Sequence, residues 1–298
     1  MITFQLNPYG EGAWRWDGVR YTTTDGESEV APFAHPLVEQ VAASDGHRTM
    51  IMVREQVTGQ PSASAAVRQV PQDEYEQARD AAARWPADWV LVEWTPDEPV
   101  QVTAGLCRTT PIYLATDGAV LCGSWKMGDL ASFADSLNAR EVARLLLYRP
   151  RYSTNTVFTG IHRLTERAAA HFGGALFLRY PDPALHSGPR DLADNADVLG
   201  AFVQAMDDAW DTRPLSTVAT ALHLTGGFDS GVLATRAAER FPGHFPPRRC
   251  SSVGPAVPSN CAAASRCARP YGSPNLTCCW TRWSPRRCTA TVTASTVS

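Results

Sequence analysis

Ala219-Thr220-Ala221-Leu222-His223-Leu224-Thr225-Gly226-Gly227-Phe228-Asp229-Ser230-Gly231 reads as a buried strand running into a glycine turn and then a helix. Gly226 and Gly227 permit positive φ and a close backbone approach, so successive N–H groups converge on one concavity. The helix is expected from Ser230 to Phe241, with Val232, Leu233, Ala237 and Phe241 on one stripe. Its N-terminus adds the positive end of the helix dipole to the same concavity, which makes the turn a seat for phosphate. No Gly-Lys-Ser/Thr follows for a Walker A loop, and the glycines do not fall at the Gly-x-Gly-x-x-Gly spacing of a dinucleotide fingerprint.

The hexapeptide Thr225-Gly226-Gly227-Phe228-Asp229-Ser230 resembles the Ser-Gly-Gly-x-Asp-Ser pyrophosphate loop of the ATP-pyrophosphatases, with the asparagine synthetase family as the nearest match. Three further stretches match that family in its own order. Pro111-Ile112-Tyr113 and Gly123-Ser124-Trp125-Lys126 sit at the spacing of a hairpin near the end of the family's glutaminase domain. Thr156-Val157-Phe158-Thr159-Gly160-Ile161-His162-Arg163-Leu164 looks like its Thr-Leu-Phe-x-Gly-Ile-x-Arg-Leu segment.

The resemblance implies an α/β and α+β chain with four parts. A degenerate glutaminase-like, Ntn hydrolase-type layered domain covers residues 1–180, and a linker covers 181–193. Residues 194–245 begin a truncated, ATP-binding parallel-sheet synthetase domain, and residues 246–298 form a tail. The implied cofactors are ATP and Mg²⁺. Leu224, Thr225, Gly226, Gly227, Phe228, Asp229 and Ser230 are implied to hold the nucleotide, with Asp229 serving the metal. The family's chemistry activates a carboxylate on ATP and hands the acyl group to an amine.

The departures narrow this. A working glutaminase of the family begins at a catalytic cysteine, whereas position 2 is Ile2, and the family's glutamine-binding segment has no counterpart in residues 1–105. Cys107 and Cys122 lie in strand-like apolar surroundings and read as small buried residues. Within the family this points to relatives that use an amine already in the substrate, such as lasso-peptide macrocyclases and β-lactam synthetases. The expected substrate is a small-molecule or peptide carboxylate. Two alternatives stand beside it: a glutamine-hydrolysing asparagine synthetase, and a non-catalytic remnant that binds nucleotide without turnover.

Composition bounds the rest. A chain of 298 residues with 44% hydrophobic residues suits about two domains. A net charge of −3 gives no reason to expect nucleic acid or an anionic membrane as partner. No apolar run approaches the roughly 20 residues of a membrane span, and the N-terminus lacks a basic segment followed by an apolar one, so a cytoplasmic location is expected. Lys126 is the only lysine among 27 basic residues, a bias typical of a GC-rich genome.

Along the first 125 residues, short aromatic or β-branched segments at 13–16, 49–53, 89–94 and 100–104 predict strands, interrupted by a helix over 72–84. Cys107 to Leu114, the turn Thr116-Asp117-Gly118 and the return strand Ala119 to Cys122 predict a hairpin. A short helix is expected over 139–147. Pro181, Pro183, Gly188 and Pro189 mark the linker. Asp194 or Asn195 is expected to cap a helix whose Leu199, Phe202, Val203, Met206 and Trp210 pack one face on a sheet. Asp207 and Asp208 read as a solvated face and His223 as a core histidine.

Residues 246–298 contain no Asp, Glu or Lys but hold six of the eight cysteines. Cys278 and Cys279 are adjacent, and no pair of Cys-x-x-Cys units appears, so zinc-module spacing is absent. The expectation is an out-of-frame reading that forms no domain.

Overall fold

A computed structural model describes residues 1–106, 111–149, 153–182, 193–213, 215, 216, 222, 224 and 227–243. The chain divides into two compact units, Met1–Pro214 and Leu215–Ser298.

The first unit is an α+β assembly of two seven-stranded sheets. One sheet contains β1 (Ile2–Leu6), β2 (Trp14–Trp16), β3 (Tyr21–Thr23), β4 (Glu29–Pro32), β10 (Ile112–Thr116), β11 (Leu121–Ser124) and β12 (His162–Leu164), in the order β12-β10-β11-β1-β4-β3-β2. The other contains β5 (Val38–Ser44), β6 (Thr49–Glu55), β7 (Val67–Gln69), β8 (Trp89–Trp94), β9 (Val100–Ala104), β13 (Ala169–Phe172) and β14 (Leu176–Arg179), in the order β14-β13-β9-β8-β6-β5-β7. Every described pairing is antiparallel except β5 with β7.

The main core lies between the sheets. Ile2, Phe4 and Leu6 of β1 meet Ile51, Val53, Val90, Val92, Val100 and Val102 there. Because strand side chains alternate, Met50, Met52 and Leu91 face the other way. They pack against Tyr75 and Ala82 of helix α1 (Gln72–Ala83). Central strands β6 and β8 are therefore buried on both faces, which explains why they read as continuous apolar runs. On the outer face of the first sheet, Ala115 and Ile161 pack with Leu130 from a 3₁₀ segment, Met127–Phe133. The result is four layers, helix, sheet, sheet and helix.

The hairpin follows local chemistry. Asp117 Oδ1 accepts from the N–H groups of Ala119 (2.9 Å) and Val120 (3.0 Å), and Gly118 takes φ +95°. Gly123 and Gly160 serve close packing: a Cβ on Gly160 would lie 2.6 Å from the carbonyl oxygen of Phe133, and one on Gly123 would enter the Phe4 ring. Thr156 Oγ1 donates to the carbonyl of Ile161 at 2.7 Å, bending the chain into β12.

Helix α2 (Ala139–Leu146) is capped by Asn138, whose side chain accepts from the Glu141 N–H. Helix α3 (Val198–Thr212) departs from expectation at its start: Asp197 Oδ1 accepts from Gly200 N–H at 2.8 Å, while Asp194 and Asn195 lie in the preceding turn. Asp197 wins because it sits three residues before a glycine, whose missing Cβ leaves room for the carboxylate. The expected burial of the α3 stripe is also corrected. Leu199 is 73% and Phe202 52% exposed, and no α3 residue is buried. The helix ends on the first unit, where Thr58 N–H donates to Thr212 O (2.9 Å) and Arg213 pairs with Glu55 (3.4 Å). Gln204 donates to Asp208 at 2.7 Å on its polar side.

In the second unit the described structure is helix α4, Phe228–Arg240. No described helix is long and apolar enough to cross a membrane.

Candidate functional site

Helix α4 begins two residues earlier than the sequence suggests, with Gly227 as its N-cap at φ −84° and ψ 169°. This corrects one expectation: Gly227 is extended rather than left-handed. Its contribution is the missing side chain: as N-cap it brings no side-chain oxygen of its own to the helix start. The first N–H groups therefore remain the natural partners of an anion.

Phe228 is 83% exposed at the first helical position, and Asp229 is exposed beside it. Ser230 Oγ donates to the Gly227 carbonyl at 3.2 Å, closing the first turn. Ala237 is the one described α4 residue that is buried, at 3% exposure. Leu222 and Leu224 are half-buried and lie outside regular structure, so the strand expected over 219–224 does not include them. Thr225, Gly226 and His223 lie outside the described residues, as do Cys107 and all of 246–298. Gly227, Phe228, Asp229 and Ser230 are thus brought together at one helix start, with Leu224 three residues before it.

The loop's chemistry decides whether Mg²⁺ and ATP suit these residues. A lone exposed carboxylate beside an anion seat repels phosphate unless a cation bridges the two. Mg²⁺ is commonly held by one or two carboxylates together with substrate phosphates, and Asp229 supplies one such carboxylate. Among the described residues, no group of three or more His, Cys, Asp or Glu side chains is arranged to hold a metal without such help. Asp229 with the helix N-terminus is a donor set that could meet a metal only in company with a bound phosphate.

At the start of the chain, Ile2 is fully buried between the sheets, and its carbonyl accepts from Trp125 N–H at 3.2 Å. The Met1 carbonyl accepts from Phe33 N–H at 2.7 Å. Position 2 therefore presents an aliphatic side chain to the core and no nucleophile. Cys122 is half-buried against the cluster of Ala115, Leu130 and Ile161, and burial, with the Asp117 charge second, pushes its thiol above the usual range. A protonated thiol is a poor nucleophile.

The sequence reading passed over the C-terminal end of α2. Leu145, Leu146 and Leu147 are 57–73% exposed, and Tyr148 is 94% exposed. The available signal was a run of four consecutive large apolar residues, which no helical period can bury on one face. No known protein-family model matches the chain, and no curated protein matches it.

Proposed function

We propose that the chain is an asparagine synthetase-like, ATP-dependent amide ligase that does not hydrolyse glutamine. The loop from Leu224 to Ser230 seats the pyrophosphate of Mg·ATP. The observation that carries this reading is the placement of Gly227-Phe228-Asp229-Ser230. These residues open a 13-residue helix with no side-chain cap and an acidic residue in its first turn. The N–H groups of Gly227 and Phe228 would hold phosphate oxygens, whose charge the helix dipole would favour, and Asp229 would be the carboxylate available to the metal. ATP supplies a leaving pyrophosphate for activating a carboxylate. These donors stabilise the charge that develops on it.

The four-layer arrangement of the first unit supports a glutaminase-like, Ntn hydrolase-type ancestry. Ile2 in the core supports the loss of that activity, because the position that matches the family's nucleophile holds an aliphatic side chain packed between the sheets. The reading places the protein among macrocyclase-like ligases with a small-molecule or peptide carboxylate substrate in the cytoplasm. A second reading, a nucleotide-binding remnant without turnover, is favoured by the acid-free composition of residues 246–298. Labelled pyrophosphate exchange into ATP, dependent on an added carboxylate, separates the two. Exchange that disappears in Asp229→Ala supports the ligase, binding of ATP without exchange supports the remnant, and exchange unchanged in Asp229→Ala refutes the site. Glutamate release from glutamine above a no-enzyme control refutes the loss of glutaminase activity.

A further inference from the structure

Helix α3 is fastened at its C-terminal end. No residue of the helix is buried, yet the Thr212 carbonyl accepts the Thr58 N–H at 2.9 Å, and Arg213 Nε stands 3.4 Å from Glu55 Oε2. Thr58 lies in an exposed loop three residues past the end of β6. Its amide therefore takes an acceptor from a distant element rather than from its own turn. The first compact unit ends at Pro214, so the fastening sits at the edge of that unit.

Charge makes Arg213 the piece that holds. A helix C-terminus carries partial negative charge, and the final turns of α3 add Asp208 and Asp211. Glu55 faces this end, so the two surfaces repel unless a cation joins them. Arg54, the neighbouring cation, is committed elsewhere: it is bonded to Glu39 at 2.8 Å and stacked over Trp85. Arg213 serves both sides. Its Nη1 donates to the Ala209 carbonyl at 3.2 Å, satisfying one of the carbonyls that a helix leaves open, while its Nε faces Glu55.

The other half of the contact is rigid. Glu55 N–H donates to the Asp88 carbonyl at 2.8 Å, and the Glu55 carbonyl accepts the Trp85 indole N–H at 2.9 Å. The carboxylate that meets Arg213 also accepts the Asp88 N–H at 3.3 Å, while the buried Asp88 carboxylate accepts the Trp89 N–H at 3.1 Å. The Arg213 and Glu55 side chains are 33% and 25% exposed. Salt reaches such a pair, but screens it less than an open surface bridge.

We infer that Glu55 and Arg213, together with the Thr58–Thr212 bond, form a salt-sensitive latch that fastens α3 to the first unit. The sequence reading assigns this helix to the domain of the nucleotide loop. The latch instead makes it move with the sheets, so the passage between the units starts after Arg213. This inference stands apart from the nucleotide reading. Hydrogen exchange of the full chain at the Thr58 amide reads the latch directly, because the acceptor of that N–H is on α3. Glu55→Gln removes one charge and keeps an acceptor for the Asp88 N–H, and Arg213→Gln removes the other charge. Either variant exchanges Thr58 about threefold faster or more, and the double variant is no faster than the faster single. Salt at about 1 M speeds exchange in the parent and not in the double variant. Arg213→Lys keeps the charge and recovers part of the protection. The Val53 and Val92 amides of the central strands keep parent rates throughout, which separates an opened latch from unfolding. The inference is overturned if Thr58 exchanges alike in the parent and both single variants, if the two effects multiply independently, or if Arg213→Lys is as fast as Arg213→Gln. It is also overturned if salt acts equally on the parent and the double variant, or if the central amides speed up together with Thr58.

Discussion

Gly123→Ala tests how tightly the first sheet and the central core are fitted together. A Cβ on Gly123 would lie 2.5 Å from Phe4 Cε1 and closer still to Cζ and Cε2. Carbon atoms pack at about 3.5–4.0 Å, so the ring must retreat by roughly 1 Å or more. Phe4 is only 5% exposed within the core between the sheets, and Phe4 and Gly123 are direct cross-strand partners. Overpacking of this kind costs about 1–3 kcal/mol. Phe4→Leu alone costs roughly 1–2 kcal/mol from lost burial. Combined, the two changes interfere favourably, because the added methyl occupies space that the ring vacates. The double variant should be more stable than the sum of the singles by about 1 kcal/mol or more. Urea denaturation of the four proteins, followed by tryptophan fluorescence, measures the cycle. Gly123→Ala costing less than about 0.5 kcal/mol, or strict additivity, would refute the packing argument.

Tyr148→Gly should stabilise the chain by about 1 kcal/mol, the ordinary cost of a non-glycine residue in the left-handed region; a lower urea midpoint would contradict this. His162 is half-buried on β12, and burial lowers its pKa below the ordinary 6.5, so the unfolded chain takes up a proton first as pH falls. Stability should decline from about pH 6.5 downward until the folded-state pKa is passed, and His162→Gln should flatten that limb; an unchanged profile would reject the assignment. The Asp25 carboxylate accepts the Thr23 hydroxyl and the N–H groups of Glu27, Gly12 and Glu11, which hold its pKa below 3.8. Its contribution should persist above that pH and vanish as acid titrates it below, and Asp25→Asn should remove this part of the acid limb in melting curves. Glu39→Gln should be among the more damaging single changes, about 3 kcal/mol or more, because Arg54 is stacked 3.5 Å from the Trp85 ring centre and bonded to Glu39 at 2.8 Å. A loss under about 1 kcal/mol by calorimetry would show that the pair behaves as a surface bridge.

What could be read from the sequence was local. The 89–94 and 100–104 strands follow from aromatic and β-branched residues and the 72–83 helix from helix formers with acids in its first turn, and Asp117-Gly118 specified its own hairpin. Sheet order was not legible, because β1 pairs with β11 and β4 across long loops whose partners only tertiary packing selects. The exposure of the α2 tip was not legible for a related reason: hydrophobic character alone favours burial, but here Glu141 is buried with its ion pair and the leucines face outward. Asp197 took the α3 cap from Asp194 and Asn195 because the choice rested on Gly200, one turn further on. Of the nucleotide loop, the residue types were plain, but the register of its helix was not. Gly227 caps the helix from an extended conformation that a general expectation of positive φ for glycine does not foresee.

The central claim is that Gly227, Phe228, Asp229 and Ser230 form a seat for the pyrophosphate of Mg·ATP. Isothermal titration of the 298-residue chain with ATP and with inorganic pyrophosphate, each with and without Mg²⁺, tests it most directly. The account predicts that both ligands bind, that each displaces the other, that Mg²⁺ is required, and that Asp229→Ala lowers both affinities at least about tenfold with its melting temperature nearly unchanged. Absence of binding in the parent chain, or equal binding in parent and Asp229→Ala, would contradict it.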